Sequence, residues 1–141
     1  MATVRMEFTP EPAYVRTVRL ISVAVGRQAG LPDDQLDEVR QAVGEACVRA
    51  VSRHQPHGLG LPVVVESSTG DVYRVSVADR APDLDPPGDD DEALDADVGA
   101  ALLAGLVKDL DVRAADPGPG SEVHMAWPLR RGGRMGLAGG R

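Results

Sequence analysis

Residues 36–54 constrain the fold more tightly than any other stretch. Leu36, Val39, Val43, Cys47, Ala50 and Val51 recur at the 3.6-residue period of a helix and form one apolar stripe. Glu38, Gln41, Glu45, Arg49 and Ser52 fall on the other side. A stripe of that length must be covered by a partner layer. The rest of the chain has to supply one from valine, leucine and alanine, because aromatic residues make up only 3% of 141. A chain of this size forms one domain and buries a core without disulfides. Its single cysteine, Cys47, lies on the apolar stripe and reads as a small buried hydrophobe.

Secondary-structure signals surround this helix in a definite order. Val4 to Phe8 alternates as a strand, and Pro12 suits the first turn of a helix expected from about Ala13 to Gln28, with Gly30 ending it. Val15, Val18, Ser22, Val25 and Ala29 give that helix its inner face. Acidic Asp33 and Asp34 suit the positive end of the long helix, and Gln55-Pro-His-Gly58 breaks it. Two strands, Pro62 to Ser67 and Val72 to Ala78, then flank the turn at Ser68–Asp71. A third helix is expected over Ala93–Asp109, and two closing strands around Asp111–Ala115 and Glu122–Pro128. The order is β-α-α-β-β-α-β-β. It predicts a two-layer α/β sandwich, a mostly antiparallel sheet with helices on one face, over residues 1–129. A Gly- and Arg-rich tail, expected to be flexible, follows over 130–141.

Charge narrows the choice of partners. The net charge is −7, and eight acids with no base fall between Asp83 and Asp97, so the remaining chain is close to neutral. Such a surface offers no basic footprint for nucleic acid. The acidic stretch, within a loop-like segment over 80–97, reads first as a solvated flexible loop, a reading compatible with a mobile lid or a patch for a basic protein. No run reaches the ~18 apolar residues of a membrane span, and no signal peptide opens the sequence, so a cytoplasmic protein is expected.

The long helix resembles the one that carries the first nucleotide motif of the GHKL ATPase superfamily. Within that superfamily the chain is most similar to small anti-sigma factors that double as serine-protein kinases. Their pattern of Glu, Asn four residues on, Ala and then His is met by Glu45, Ala50 and His54, while Arg49 holds the Asn position. The resemblance implies that Glu45 is the base for phosphoryl transfer from ATP. The residues alone read it instead as an exposed helix acid paired with Arg49 at i, i+4. A guanidinium has no acceptor atom and cannot take the asparagine's place on magnesium. Arg49 is therefore left either to contact phosphates itself or to pair with Glu45.

The other two motifs also depart from the family pattern. Asp79 stands where the family's adenine-reading Asp would be, yet Ala81 and Asp83 replace the glycines that follow. A lone Asp at a strand end is ordinarily a turn former. In the third motif, a glycine turn that cradles phosphate, Gly99 is kept and Ala101 replaces the second glycine, with Asp95 and Asp97 nearby. His54 and His57 lack further ligands at useful spacing, so His54 reads as a helix C-cap and no metal site is expected. The resemblance thus implies a histidine-kinase-like fold with ATP binding weakened or lost and magnesium not held in the usual way. It further implies an anti-sigma-type regulator that binds a sigma factor or an anti-anti-sigma protein, as a homodimer. An active serine-protein kinase and an unrelated small α/β scaffold are the competing readings.

Overall fold

The computed structural model describes residues 2–82 and 102–129. Five strands make one sheet: β1 (Ala2–Phe8), β2 (Val63–Thr69), β3 (Val72–Ala78), β4 (Asp109–Ala114) and β5 (Ser121–Pro128). Their spatial order is β1-β2-β3-β5-β4, and all four pairings are antiparallel. Helices α1 (Val15–Ala29) and α2 (Asp33–His54) lie side by side and contact the sheet through β2 and β3. The architecture is the α/β sandwich that the hairpin signals predict.

Period-two alternation explains how the layers meet. Tyr73, Val75 and Val77 on β3 and Val123, Met125 and Trp127 on β5 are buried toward the helices. Register pairs them across the two strands, Tyr73 with Trp127, Val75 with Met125 and Val77 with Val123. Against this floor α2 lays Val39, Val43, Cys47 and Ala50, with Ala42 and Ala46 also fully covered. Burial pushes the Cys47 thiol up to about 12, against a smaller opposing pull from Arg19, so it stays an inert thiol. Two polar anchors fix the helices to the sheet. The Tyr73 hydroxyl donates to the Ser22 carbonyl of α1 at 2.5 Å, and the Trp127 indole donates to Glu38 of α2 at 3.2 Å.

The ends of the elements follow local chemistry, with one correction. Gly30 closes α1 at φ 105, its N–H bonded to Arg27, while the Leu31 N–H reaches back to Gly26. The helix expected over Ala93–Asp109 ends earlier. Residues 102–106 are helical, and by Leu110 the chain is already in β4, opposite Met125. Leu110 fits a helical stripe with Leu103 and Leu106 and also a strand alternation with Val112, so spacing alone could not separate the two. The other ends of β1, β2, β4 and β5 differ from expectation by one or two residues. The start of that helix (93–101), the acidic stretch beyond residue 82 and the 130–141 tail lie outside the described residues.

Gly120, just before β5, packs against the backbone of Asp79 and Arg80 just past the end of β3. It has φ +119, and a Cβ there would sit 2.0 Å from the Asp79 carbonyl oxygen. Both the left-handed backbone and the contact with main chain exclude a side chain. Gly120→Ala is expected to lower unfolding free energy by about 3 kcal/mol or more in denaturant titration. Gly70→Ala, in the open β2–β3 turn with nothing within 4 Å, should stay within about 0.5 kcal/mol of wild type. Equal, small effects would refute the tight junction.

Candidate functional site

At the C-terminal end of β3 the chain buries a carboxylate. Asp79 is 1% exposed. Its Oδ1 accepts from the Ala81 N–H at 3.0 Å and the Ser121 N–H at 3.2 Å. Its Oδ2 accepts from the Ser121 hydroxyl at 2.6 Å and from Arg53 Nε at 2.9 Å, and Arg49 Nη1 stands 3.7 Å away. Four hydrogen bonds match the roughly four lone-pair directions of a carboxylate. Asp79 is saturated by its own chain.

Three elements assemble this network. Arg49 and Arg53, one turn apart on α2, both point down toward the β3 end. Arg49 also donates to the Ser121 hydroxyl at 3.0 Å, and Arg53 to the Ala81 carbonyl at 3.4 Å. Ser121 opens β5, and its backbone pairs with Asp79 through Asp79 N–H to Ser121 C=O at 2.9 Å. Two arginines at i, i+4 repel on an isolated helix. A buried acid beneath them turns that repulsion into a shared ion pair.

His54 completes the floor and departs from expectation. The residue capping α2 is Gln55, and His54 is buried in the last turn. Its Nε2 accepts the Arg80 N–H at 2.8 Å, which requires the neutral ring with the proton on Nδ1. Burial pulls its pKa below the usual histidine range. Asp79 and the Leu61 backbone oppose that pull, and Arg53 and His57 reinforce it.

The structure thus brings together Arg49, Asp79 and Ala81 of the sequence-predicted site residues. Sequence reasoning missed Arg53, Ser121 and the acceptor role of His54. The usable signal was the Arg49–Arg53 repeat, a like-charge pair on a half-buried helix face that needs an acid between its members. Glu45 is exposed and lines a separate open groove of about 290 Å³ with Val15, Arg19, Gln41, Gly44, Val48 and Leu106. Gly99 and Ala101 lie outside the described residues. Among the described residues no group of three His, Cys, Asp or Glu side chains is placed to hold a metal ion. None of the described helices is long and apolar enough to cross a membrane.

An antiparallel sheet under two long helices, with a buried carboxylate at the end of its central strand, is a two-layer α/β sandwich of the histidine kinase-like ATPase type. The profile of the histidine kinase-like ATPase domain matches residues 8–127, and the chain belongs to that family. No curated protein matches the sequence. Among solved structures, the RsbU and RsbW domains of Rv1364c from Mycobacterium tuberculosis superpose with a TM-score of 0.64 at 16% identity. The match covers 92% of this chain and 34% of that one. The likeness is one of fold, and the chain spans about a third of its neighbour's length.

The residues present do not fit ATP–magnesium in the manner the family resemblance implies. Asp79, where the resemblance would place the adenine acceptor, has its acceptor directions taken by protein donors, and Arg49 stands where the resemblance would place the metal-binding asparagine. Two outcomes test this description. Asp79→Ala leaves two guanidinium groups facing each other over an empty site, and is expected to cost about 3–5 kcal/mol in denaturant unfolding. Ser121→Ala removes one donor and should cost about 1–2 kcal/mol; the reverse ranking would contradict the network.

His54 gives a pH signature. Its folded pKa is lower than its unfolded value, so the unfolded chain binds the extra proton. That stabilising contribution is complete above the unfolded pKa of about 6.5 and is lost as pH falls below it. Stability should therefore decline from pH 7 to pH 5 in thermal melts. His54→Gln, which keeps an acceptor but does not titrate, should show a shallower decline. Parallel profiles would remove His54 from the account.

Proposed function

We propose that the chain is a regulatory protein of the anti-sigma type. It acts by binding a sigma factor or an anti-anti-sigma protein, and its ATP site is closed by internal contacts. The observation that carries this reading is the saturated Asp79. A domain of the histidine kinase-like ATPase family has kept the fold while the acid at its nucleotide end serves as an internal ion-pair centre. Sequestration of a partner needs a surface and no phosphoryl transfer, so a closed pocket is compatible with it. The resemblance of the Glu45–His54 stretch to anti-sigma factors supports the partner class, as does the RsbW-containing structural neighbour.

The competing reading is an active serine-protein kinase, and one observation favours it: Glu45 remains exposed in an open groove. In that case labelled phosphate would pass from ATP to an anti-anti-sigma protein and transfer would vanish in Glu45→Ala.

Calorimetric titration separates the two. ATP and ADP, with or without magnesium, are expected to give no binding heat with wild type. Arg49→Asn alone should not restore binding, because Arg53, Ser121 and two backbone N–H groups still occupy Asp79. A tagged chain should at the same time retain a sigma factor or an anti-anti-sigma protein without added nucleotide. Tight ATP binding by wild type would overturn the closed-pocket reading, and failure to retain either partner class would overturn the regulatory one.

A further inference from the structure

Glycine inside a helix is destabilising relative to alanine, and α2 carries one in its middle, Gly44. The structure gives the reason. A Cβ at Gly44 would sit 2.8 Å from Cδ of Arg19 and 3.4 Å from its Nε and Nη1, so the arginine stem crosses from α1 and lies flat on the bare turn. The guanidinium comes near enough to pull against the burial that raises the Cys47 thiol. It also lines the groove onto which Glu45 opens. Among the described residues, neither Arg19 nor Glu45 forms an ion pair or a hydrogen bond, although both line the same space. Val15, Val48 and Leu106 supply the apolar walls of that space, and Val48 is 48% exposed.

Size and charge define the occupant by elimination. A volume of about 290 Å³ lies at the bottom of the range of about 300–1,000 Å³ for ligand pockets, so the occupant is small. A phosphate dianion would suit Arg19 and be repelled by Glu45, and a simple amine would do the reverse. A molecule with one carboxylate and one ammonium satisfies both. Its carboxylate matches the planar fork of a guanidinium, and its ammonium matches a carboxylate. The walls among the described residues are aliphatic and offer no ring for stacking. We propose that the groove between α1 and α2 binds a free aliphatic α-amino acid of about leucine size. Its carboxylate pairs with Arg19, its ammonium with Glu45, and its side chain lies on Val15, Val48 and Leu106. Gly44 is the positioning residue that seats Arg19 for this contact.

The test titrates the full chain with L-leucine by calorimetry. Leucine should bind saturably. Leucinamide and 4-methylpentanoate, which each lack one of the two charges, should bind about tenfold more weakly or worse. Arg19→Gln and Glu45→Gln should each weaken leucine by a similar factor. Gly44→Ala gives the sharper reading. It should weaken leucine about tenfold by displacing Arg19, while the thermal midpoint stays at or above that of wild type, because alanine is the better helix former. A Gly44→Ala or Arg19→Gln chain that binds leucine like wild type would overturn the proposal. No saturation by leucine, isoleucine or valine at about 10 mM would do the same. So would silence toward all three combined with a protein partner retained by wild type and lost from Arg19→Gln, which would make the groove a docking surface.

Discussion

The Asp79 carboxylate is where α2, β3 and β5 are tied together. Arg53 Nε from the helix, the Ser121 hydroxyl and N–H from β5, and the Ala81 N–H just beyond β3 all end on its two oxygens. A charge this deeply buried is tolerable only when its partners are complete, since an unpaired carboxylate would cost several kcal/mol. The demand propagates outward. Arg49 and Arg53 must both face down, which sets the rotation of α2 about its axis. The β3–β5 junction must pass close enough for Gly120 to lie against the Asp79 carbonyl, so only glycine fits there. His54 must stay neutral to receive the Arg80 N–H that follows Asp79 in the chain.

The same network limits what the β3 end of the sheet can offer a ligand. Recognition of a base by a buried acid needs an acceptor direction left open, and here protein donors fill all of them. Arg49 stands where the resemblance would place a metal-binding asparagine, and a guanidinium cannot ligate a metal. Meanwhile Glu45, one turn back along α2, opens onto a different groove, beside Arg19 and Val48. The acid expected to act as a base and the acid expected to read adenine thus have opposite environments, one solvated and one sealed. Ordinary polar bookkeeping accounts for this without any appeal to a missing ligand.

Sequence was most informative where one period ruled. The α2 stripe, the alternation of β3 and the glycine stop at Gly30 each rest on a local rule that the tertiary structure had no reason to override. The family-type fold followed from their order. It was least informative where two periods coincide, as at Leu110, or where a partner is distant in the chain. Ser121 is 42 residues from Asp79 and Arg53 is 26, and no spacing rule links them. Asp79 therefore read as a turn former, and His54 as a helix cap, because each was judged only against its neighbours in sequence. Arg49 posed the converse problem. Its chemistry excluded a metal-ligand role at once, but its partner across the domain could not be seen.

A buried carboxylate satisfied entirely by its own chain makes the junction around it independent of any ligand. In an open site, the carboxylate and the elements around it are ordered partly by what they bind, and the loops nearby can respond to its arrival. With Arg49, Arg53 and Ser121 already on Asp79, the α2–β3–β5 junction is complete without any ligand, and binding there would first have to break charge-assisted hydrogen bonds, each worth about 1.5–3 kcal/mol. Any regulation of such a chain must then come from surfaces that remain open. Among the described residues these are the Glu45 groove and the exposed edge strands β1 and β4.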